Sequence, residues 1–388
     1  MIENIKITDT AYEGVGVGRN SFGQVVFIPK TVEGDIVDAT TINEKKNFIN
    51  AKLTNIVTPS PMRIKPVCPY AFICGGCSFA HIKYENQIDI KIKIIKNALR
   101  KYSDTLPNFT IHTSKIEGYR HRATLRAIDG VIGFYEQGTN NLIEVENCRI
   151  LKTSLFNKIK DFAKSTNLTG DIYAIENEED VAIASINTKN TTLSKNDIFD
   201  GVEINKKKFG LSKMSFNTPY GPIPVTNKSF FQANRYLLNE FQAKAIELVP
   251  SNLKIIELYA GAGFFTCGLM TKGSVEACEG DAISSALGRD FGYNIKNKDS
   301  YQFLKQEKDY DILFVDPPRD GLDKKILPLI LKQKPFKIIY VSCNPITLAR
   351  DIINLNEFYK IDSFDLFDMY PDTYHIESIV SLSLKTKK

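Results

Sequence analysis

Residues 2–7, 24–29, 35–42 and 50–57 are short runs of alternating or β-branched apolar positions, and Gly14, Gly16, Gly18, Gly23 and Gly34 punctuate the connections. A period of two puts successive side chains on opposite faces, so short strands with glycine-rich links and no long helix predict a small antiparallel barrel. Thr-Pro-Ser-Pro-Met at 58–62 reads as a linker. Beyond it Ile88, Ile92, Ile95 and Leu99 fall at helical spacing, with Lys91, Lys93 and Lys96 off the stripe. Residues 119–127 alternate again, which in a strand sets Arg120, Arg122 and Arg126 on one face and His121, Ala123 and Leu125 on the other. From about Lys254 apolar runs at 255–258, 275–277, 312–315 and 338–341 alternate with helical stretches. That rhythm predicts an α/β, doubly wound, mostly parallel sheet at the C-terminal end.

Composition narrows the class only a little. At 388 residues with 43% hydrophobic and 24% charged, the chain suits two or three globular domains. No apolar run reaches the roughly 20 residues that span a bilayer, and residues 1–20 carry no signal-peptide pattern, so no membrane association and a cytoplasmic location are expected. The net charge of +5 is modest, but residues 68–126 hold ten Lys and Arg against four acids, a surplus that would suit phosphate or simply a solvated face.

Three segments carry candidate chemistry. Residues 255–263, Ile-Ile-Glu-Leu-Tyr-Ala-Gly-Ala-Gly, run from a strand into a glycine turn where backbone can approach a ligand closely. Glu279 ends the next strand, where an acid can accept from ribose hydroxyls. Phe264 and Phe265 stand where a dinucleotide fingerprint would need its third glycine, which favours S-adenosylmethionine over NAD. Asp316 follows an apolar strand and is stiffened by two prolines at the ligand-binding end of the sheet. Cys343 also ends an apolar strand, with Asn344 as N-cap and Pro345 at the first helical position, and the helix dipole there should favour a thiolate. Glu377 lies in an apolar strand-like run, where an acid is paired, exposed or tuned as a base. Together these fit one reaction: a thiolate adds to carbon 6 of uracil and makes carbon 5 nucleophilic, and a base later removes the carbon 5 proton so that the thiolate can leave.

These segments, with Phe-Phe-Gln-Ala-Asn at 230–234 and His-Ile-Glu at 375–377, resemble the RNA uracil-5 methyltransferases, in particular the iron–sulfur, TRAM-containing subgroup that acts on 23S ribosomal RNA. The resemblance extends over essentially the whole chain. It implies an OB-like TRAM barrel over 1–62, a central α+β domain with a cluster and a basic RNA-binding face over 63–225, and a Rossmann-like methyltransferase domain over 226–388. It implies Cys343 as nucleophile, Glu377 as base, and Gln232, Tyr259, Gly261, Gly263, Glu279 and Asp316 around S-adenosylmethionine. Phe264 departs from the Asn of many relatives. Seven cysteines without a secretion signal point to metal or catalysis rather than disulfides. Cys68, Cys74, Cys77 and the distant Cys148 could hold zinc or [4Fe–4S] by their thiolates alone, and the resemblance tips the expectation to a structural [4Fe–4S] cluster. The expected partner is RNA, 23S ribosomal RNA ahead of transfer RNA, with no obligate protein partner. The competing reading from another class is a non-catalytic RNA-binding protein that keeps the fold.

Overall fold

The computed structural model describes residues 2–136, 139–189 and 197–386. The chain divides into two compact units: Met1–Ala98 with Phe134–Ile143 and Tyr370–His375, and Leu99–Gly133 with Glu144–Met369 and Ile376–Lys388. No helix of the described residues is long and apolar enough to cross a membrane.

In the first unit, five strands (Ile2–Ala11, Val15–Arg19, Val25–Ile28, Ile36–Glu44, Phe48–Thr58) close into a barrel around Ile5, Ile7, Val26, Ile28, Val37 and Ile49, antiparallel as expected except where Val25–Ile28 pairs with Phe48–Thr58 in parallel. Val15–Arg19 is the strand that hydropathy hides, because its glycines read as a turn. A Cβ on Gly16 would sit 1.9 Å from Thr31 Oγ1 and one on Gly18 would sit 2.5 Å from Ile5 Cγ2, so the glycines mark close approach inside a strand. The supposed linker is also clamped. Ser60 is buried and its N–H donates to Asp35 Oδ1 at 2.8 Å, while the Arg63 guanidinium grips the same buried carboxylate at 2.8–3.0 Å. In the helix Tyr84–Ala98 the buried face is Gln87, Ile90, Lys91, Ile94 and Ile95, rotated from the isoleucine stripe read in the sequence. Gln87 donates to the Phe79 and Ile82 carbonyls and to Asp372, and Lys91 donates to the Tyr370 carbonyl. Hydropathy counts both as polar, yet satisfied polar groups bury at little cost.

The second unit holds an eight-stranded sheet. Its spatial order is Ile295–Asn297, Gly273–Glu279, Leu253–Leu258, Ile312–Val315, Lys337–Ser342, Glu377–Leu384, Tyr359–Phe367 and Phe109–His112. The first five are parallel and Glu377–Leu384 runs antiparallel beside Lys337–Ser342. Its central strands are buried along their length, as expected of a sheet covered on both faces. Phe109–His112 is too short to have signalled itself, and adds to the far edge beside Tyr359–Phe367. A second sheet carries Arg122–Ile128, where Ala123, Leu125 and Ala127 are buried as the alternation requires. The arginines are engaged within the protein. Arg126 pairs with Asp171 at 3.1 Å, Arg122 donates to the Phe231 carbonyl and lies over the Tyr173 and Phe230 rings, and Arg120, just before the strand, donates to the Arg122 carbonyl.

Candidate active site

The strand Leu253–Leu258 ends in a turn that only a few residue types tolerate. Tyr259 is left-handed at φ 64°, and Gly261 and Gly263 follow at φ 57° and 99°. A Cβ on Gly263 would lie 2.5 Å from the Tyr293 ring, whereas one on Gly261 would meet nothing within 4 Å. Gly263 is therefore glycine for packing, and Gly261 leaves backbone open to a ligand. Glu279, at the end of the adjacent strand, fixes this loop: its Oε2 accepts from the Gly261 N–H at 2.9 Å and its Oε1 from Asp281 at 2.6 Å. Phe264 turns inward to meet Phe231 edge-on at 5.9 Å, which brings the 230–234 segment against the turn. Gln232 in that segment is buried, its carbonyl bonded to His121 Nε2 at 2.6 Å, while its Oε1 has no partner among the described residues. A buried amide oxygen without a donor is costly unless a ligand supplies one. An open glycine, an acid one strand away and this unpartnered oxygen fit S-adenosylmethionine.

Cys343 and Glu377 are brought together by strand pairing. In the antiparallel ladder Ser342 pairs with Ser378, so Cys343, just past the end of one strand, and Glu377, the first residue of the other, lie at the same end of the ladder, close enough for the Glu377 carboxyl to act on the thiol. Asp316 arrives from the neighbouring parallel strand, whose Val315 pairs with Tyr340. Two buried carboxyls and a thiol thus share one place. Burial, with Glu279 adding, pushes the Asp316 carboxyl up to about 7. Burial and the nearby Asp316 hold Glu377 well above the usual carboxylate range, with Arg319 opposing. The Cys343 thiol is pushed up to about 12 by burial first, then by Glu377 and Asp316, while Arg319 draws it down. This reverses the expectation that a helix N-terminus would favour thiolate. A dipole worth about half a charge loses to desolvation and two carboxylates.

The local framework of Cys343 is as the sequence suggested. Asn344 caps the helix Pro345–Leu355 by accepting from the Ile346 N–H at 3.0 Å. Its amide also donates to the Arg319 carbonyl at 2.9 Å, and Thr347 donates to the same oxygen. Below them the buried Asp351 accepts from the Leu322 N–H, the Tyr340 hydroxyl and Arg350, which pins the loop after Asp316. Sequence reasoning missed two members. Arg319 is the cation among the acids, and its proximity depends on the loop's path. Glu257 lies wholly buried in the strand before the glycine turn, bonded to Thr266 at 2.6 Å and pushed up to about 8 by burial, with Asp316 and Glu279 adding. A lone acid in an apolar strand was the available signal.

The cysteine set behaves differently. Cys68, Cys74, Cys77 and Cys148 are all partly exposed, and Cys74 is raised by burial with Cys68 adding. Thiolates are suitable donors, but among the described residues no three His, Cys, Asp or Glu side chains form a group that could hold a metal.

Comparison with known proteins adds the following. Residues 283–385 match the family model described as tRNA (uracil-5-)-methyltransferase, and residues 2–54 match the TRAM domain. The chain is 30% identical to a protein of Bacillus anthracis described as an uncharacterized RNA methyltransferase, over 96% of this chain and 94% of that one. A protein of Aquifex aeolicus with the same description is 29% identical over 98% of both. The fold is that of the Pyrococcus abyssi tRNA (uracil-54, C5)-methyltransferase crystallised with S-adenosyl-L-homocysteine, at a TM-score of 0.79, 23% identity, 97% of this chain and 100% of that one.

Proposed function

Because the chain belongs to the RNA methyltransferases in which a TRAM domain precedes a uracil-5 methyltransferase domain, we propose that Cys343 and Glu377 perform the covalent steps of carbon 5 methylation on a uridine. It is an S-adenosylmethionine-dependent enzyme with an RNA substrate. The residue roles are supported by one observation: Cys343 and Glu377 flank the last pair of one antiparallel ladder, and the Glu377 and Asp316 carboxyls both act on the thiol.

S-adenosylmethionine, when bound, supplies the methyl group and a positive sulfonium charge. In this reading Gln232, Tyr259, Gly261, Gly263, Glu279 and Asp316 line its pocket. Burial first, and then repulsion among the carboxyls, suppresses ionisation in the resting site, with Arg319 opposing at Cys343 and Glu377. The Cys343 thiol must first give its proton to water; the thiolate then forms a sulfur–carbon bond at C6 and moves the ring electrons toward O4 and C5. Once C5 carries the methyl group, Glu377 takes the C5 proton, the C5–C6 double bond re-forms and the sulfur leaves with its electron pair. A carboxyl raised by burial is a stronger base, once ionised, than one in water.

The target we favour is 23S ribosomal RNA, on the combination of TRAM domain and four cysteines, within three functional domains of residues 1–62, 63–225 and 226–388. The transfer RNA reading is favoured instead by the description of the matching family model and of the Pyrococcus abyssi protein. Incubation with labelled S-adenosylmethionine and separated ribosomal and transfer RNAs, followed by digestion and mass spectrometry, should give 5-methyluridine in the ribosomal fraction. Label in transfer RNA alone would change the substrate class, and label in neither would remove uridine methylation. We also propose, on the resemblance of Cys68, Cys74, Cys77 and Cys148 to the cysteines of the iron–sulfur subgroup, that these thiolates hold a structural [4Fe–4S] cluster. Protein prepared without oxygen should then contain about four iron and four acid-labile sulfide per chain. Zinc without sulfide would dispose of the cluster.

A further inference from the structure

The barrel presents one aromatic ring almost entirely to solvent. Phe22, between the strands Val15–Arg19 and Val25–Ile28, is 92% exposed. A single exposed apolar residue is ordinary on a protein surface. This one sits on a turn whose backbone is tied by its own hydrogen bonds. The Asn20 side chain accepts from the N–H groups of Phe22 and Gln24, the Gly23 N–H donates to the Asn20 carbonyl at 2.9 Å, and Gly23 takes φ 79° with nothing within 4 Å of its missing Cβ. Arg19 donates to the Gly23 carbonyl at 2.7 Å, which keeps a guanidinium on the same turn.

The neighbouring tip adds charge. Val25 pairs with Phe48 in parallel, so the turn between Ile36–Glu44 and Phe48–Thr58 lies alongside. There Gln24 donates to the Lys45 carbonyl at 3.0 Å, and Lys45 lies over the Phe48 ring. Residues 19–25 and 42–49 contain Arg19, Lys45 and Lys46 and a single acid, Glu44, and all four are exposed. An exposed aromatic face flanked by cations is the combination that takes single-stranded nucleic acid: bases stack on the ring and phosphates meet the charges.

We propose that this tip docks a single-stranded segment of the RNA substrate, with an unpaired base on Phe22 and flanking phosphates on Arg19, Lys45 and Lys46. The proposal rests on the RNA-methylating reading and adds where the barrel grips its substrate. The chain contains no tryptophan, so Phe22→Trp in the full-length protein creates a single reporter at the tip. Titration with a short oligouridylate should quench it saturably, less so at high salt. Phe22→Ala should raise the KM for RNA roughly tenfold with kcat unchanged, and its melting temperature should match the wild type. Unchanged tryptophan fluorescence, or a wild-type KM in Phe22→Ala, overturns the docking site. Wild-type protein assayed alongside separates the two ideas: failure to methylate any RNA sinks the enzyme reading, whereas wild-type turnover without quenching sinks only the docking site.

Discussion

Cys343→Ala is expected to abolish 5-methyluridine formation, by several orders of magnitude in kcat, while the protein still folds and binds RNA. The size follows from the chemistry. Without a nucleophile at C6, carbon 5 of uracil has no enolate character to offer a methyl sulfonium, and no other group described beside Glu377 and Asp316 is a nucleophile of comparable strength. The side chain is only partly buried at a strand-to-helix junction, so its loss leaves a small cavity beside an intact helix cap. The measurement is single-turnover methyl transfer with melting temperature and RNA affinity taken in parallel. The pH dependence sharpens it. A thiol pushed up to about 12 is almost wholly protonated at neutral pH, so wild-type adduct formation should rise with pH from neutral into the alkaline range. Arg319 draws that thiol down, so Arg319→Ala should steepen the need for alkali. A Cys343→Ala protein that still methylates would end the covalent proposal.

How far the sequence carried this site depends on the distance over which each contact acts. Features decided within a few residues were legible: the glycine turn, Glu279 at a strand end, Asn344 as a cap and Cys343 between strand and helix. The barrel and the parallel sheet were legible too, because their alternation and apolar runs reflect burial of whole elements. What escaped was decided by partners far along the chain. Lys91 and Gln87 are buried because carbonyls and a carboxylate around residues 370–372 receive them, and no local pattern announces that. Arg122 spends its charge on Phe231 and two rings, where alternation alone offered it to phosphate. The ionisation of Cys343 was misjudged for the same reason. The helix N-terminus could be read locally, but the opposing Glu377 and Asp316 come from separate strands whose order the sequence does not print.

Glu377→Gln should convert the enzyme into one that captures RNA without releasing it. Attack by Cys343 and methyl transfer do not need the late carboxylate, but elimination does, because the C5 proton must leave before the C5–C6 double bond can re-form. Glutamine keeps the shape at this buried position and cannot accept the proton. A protein–RNA species that survives denaturing electrophoresis should therefore accumulate to nearly one per enzyme, carry the methyl label, and fail to turn over. Loss of fold is not a competing cause, and linkage gives the sign. The folded-state pKa of Glu377 is raised above its ordinary 4.5, so the stability tied to its neutral form is complete below that value and declines as pH rises through the folded-state pKa. Glutamine cannot ionise, so the variant should melt no lower than wild type at pH 8 and should lose less stability as pH rises above 4.5. Wild-type turnover by Glu377→Gln with no trapped adduct would strip Glu377 of the role of base and pass it to Asp316, the remaining raised carboxyl beside the thiol.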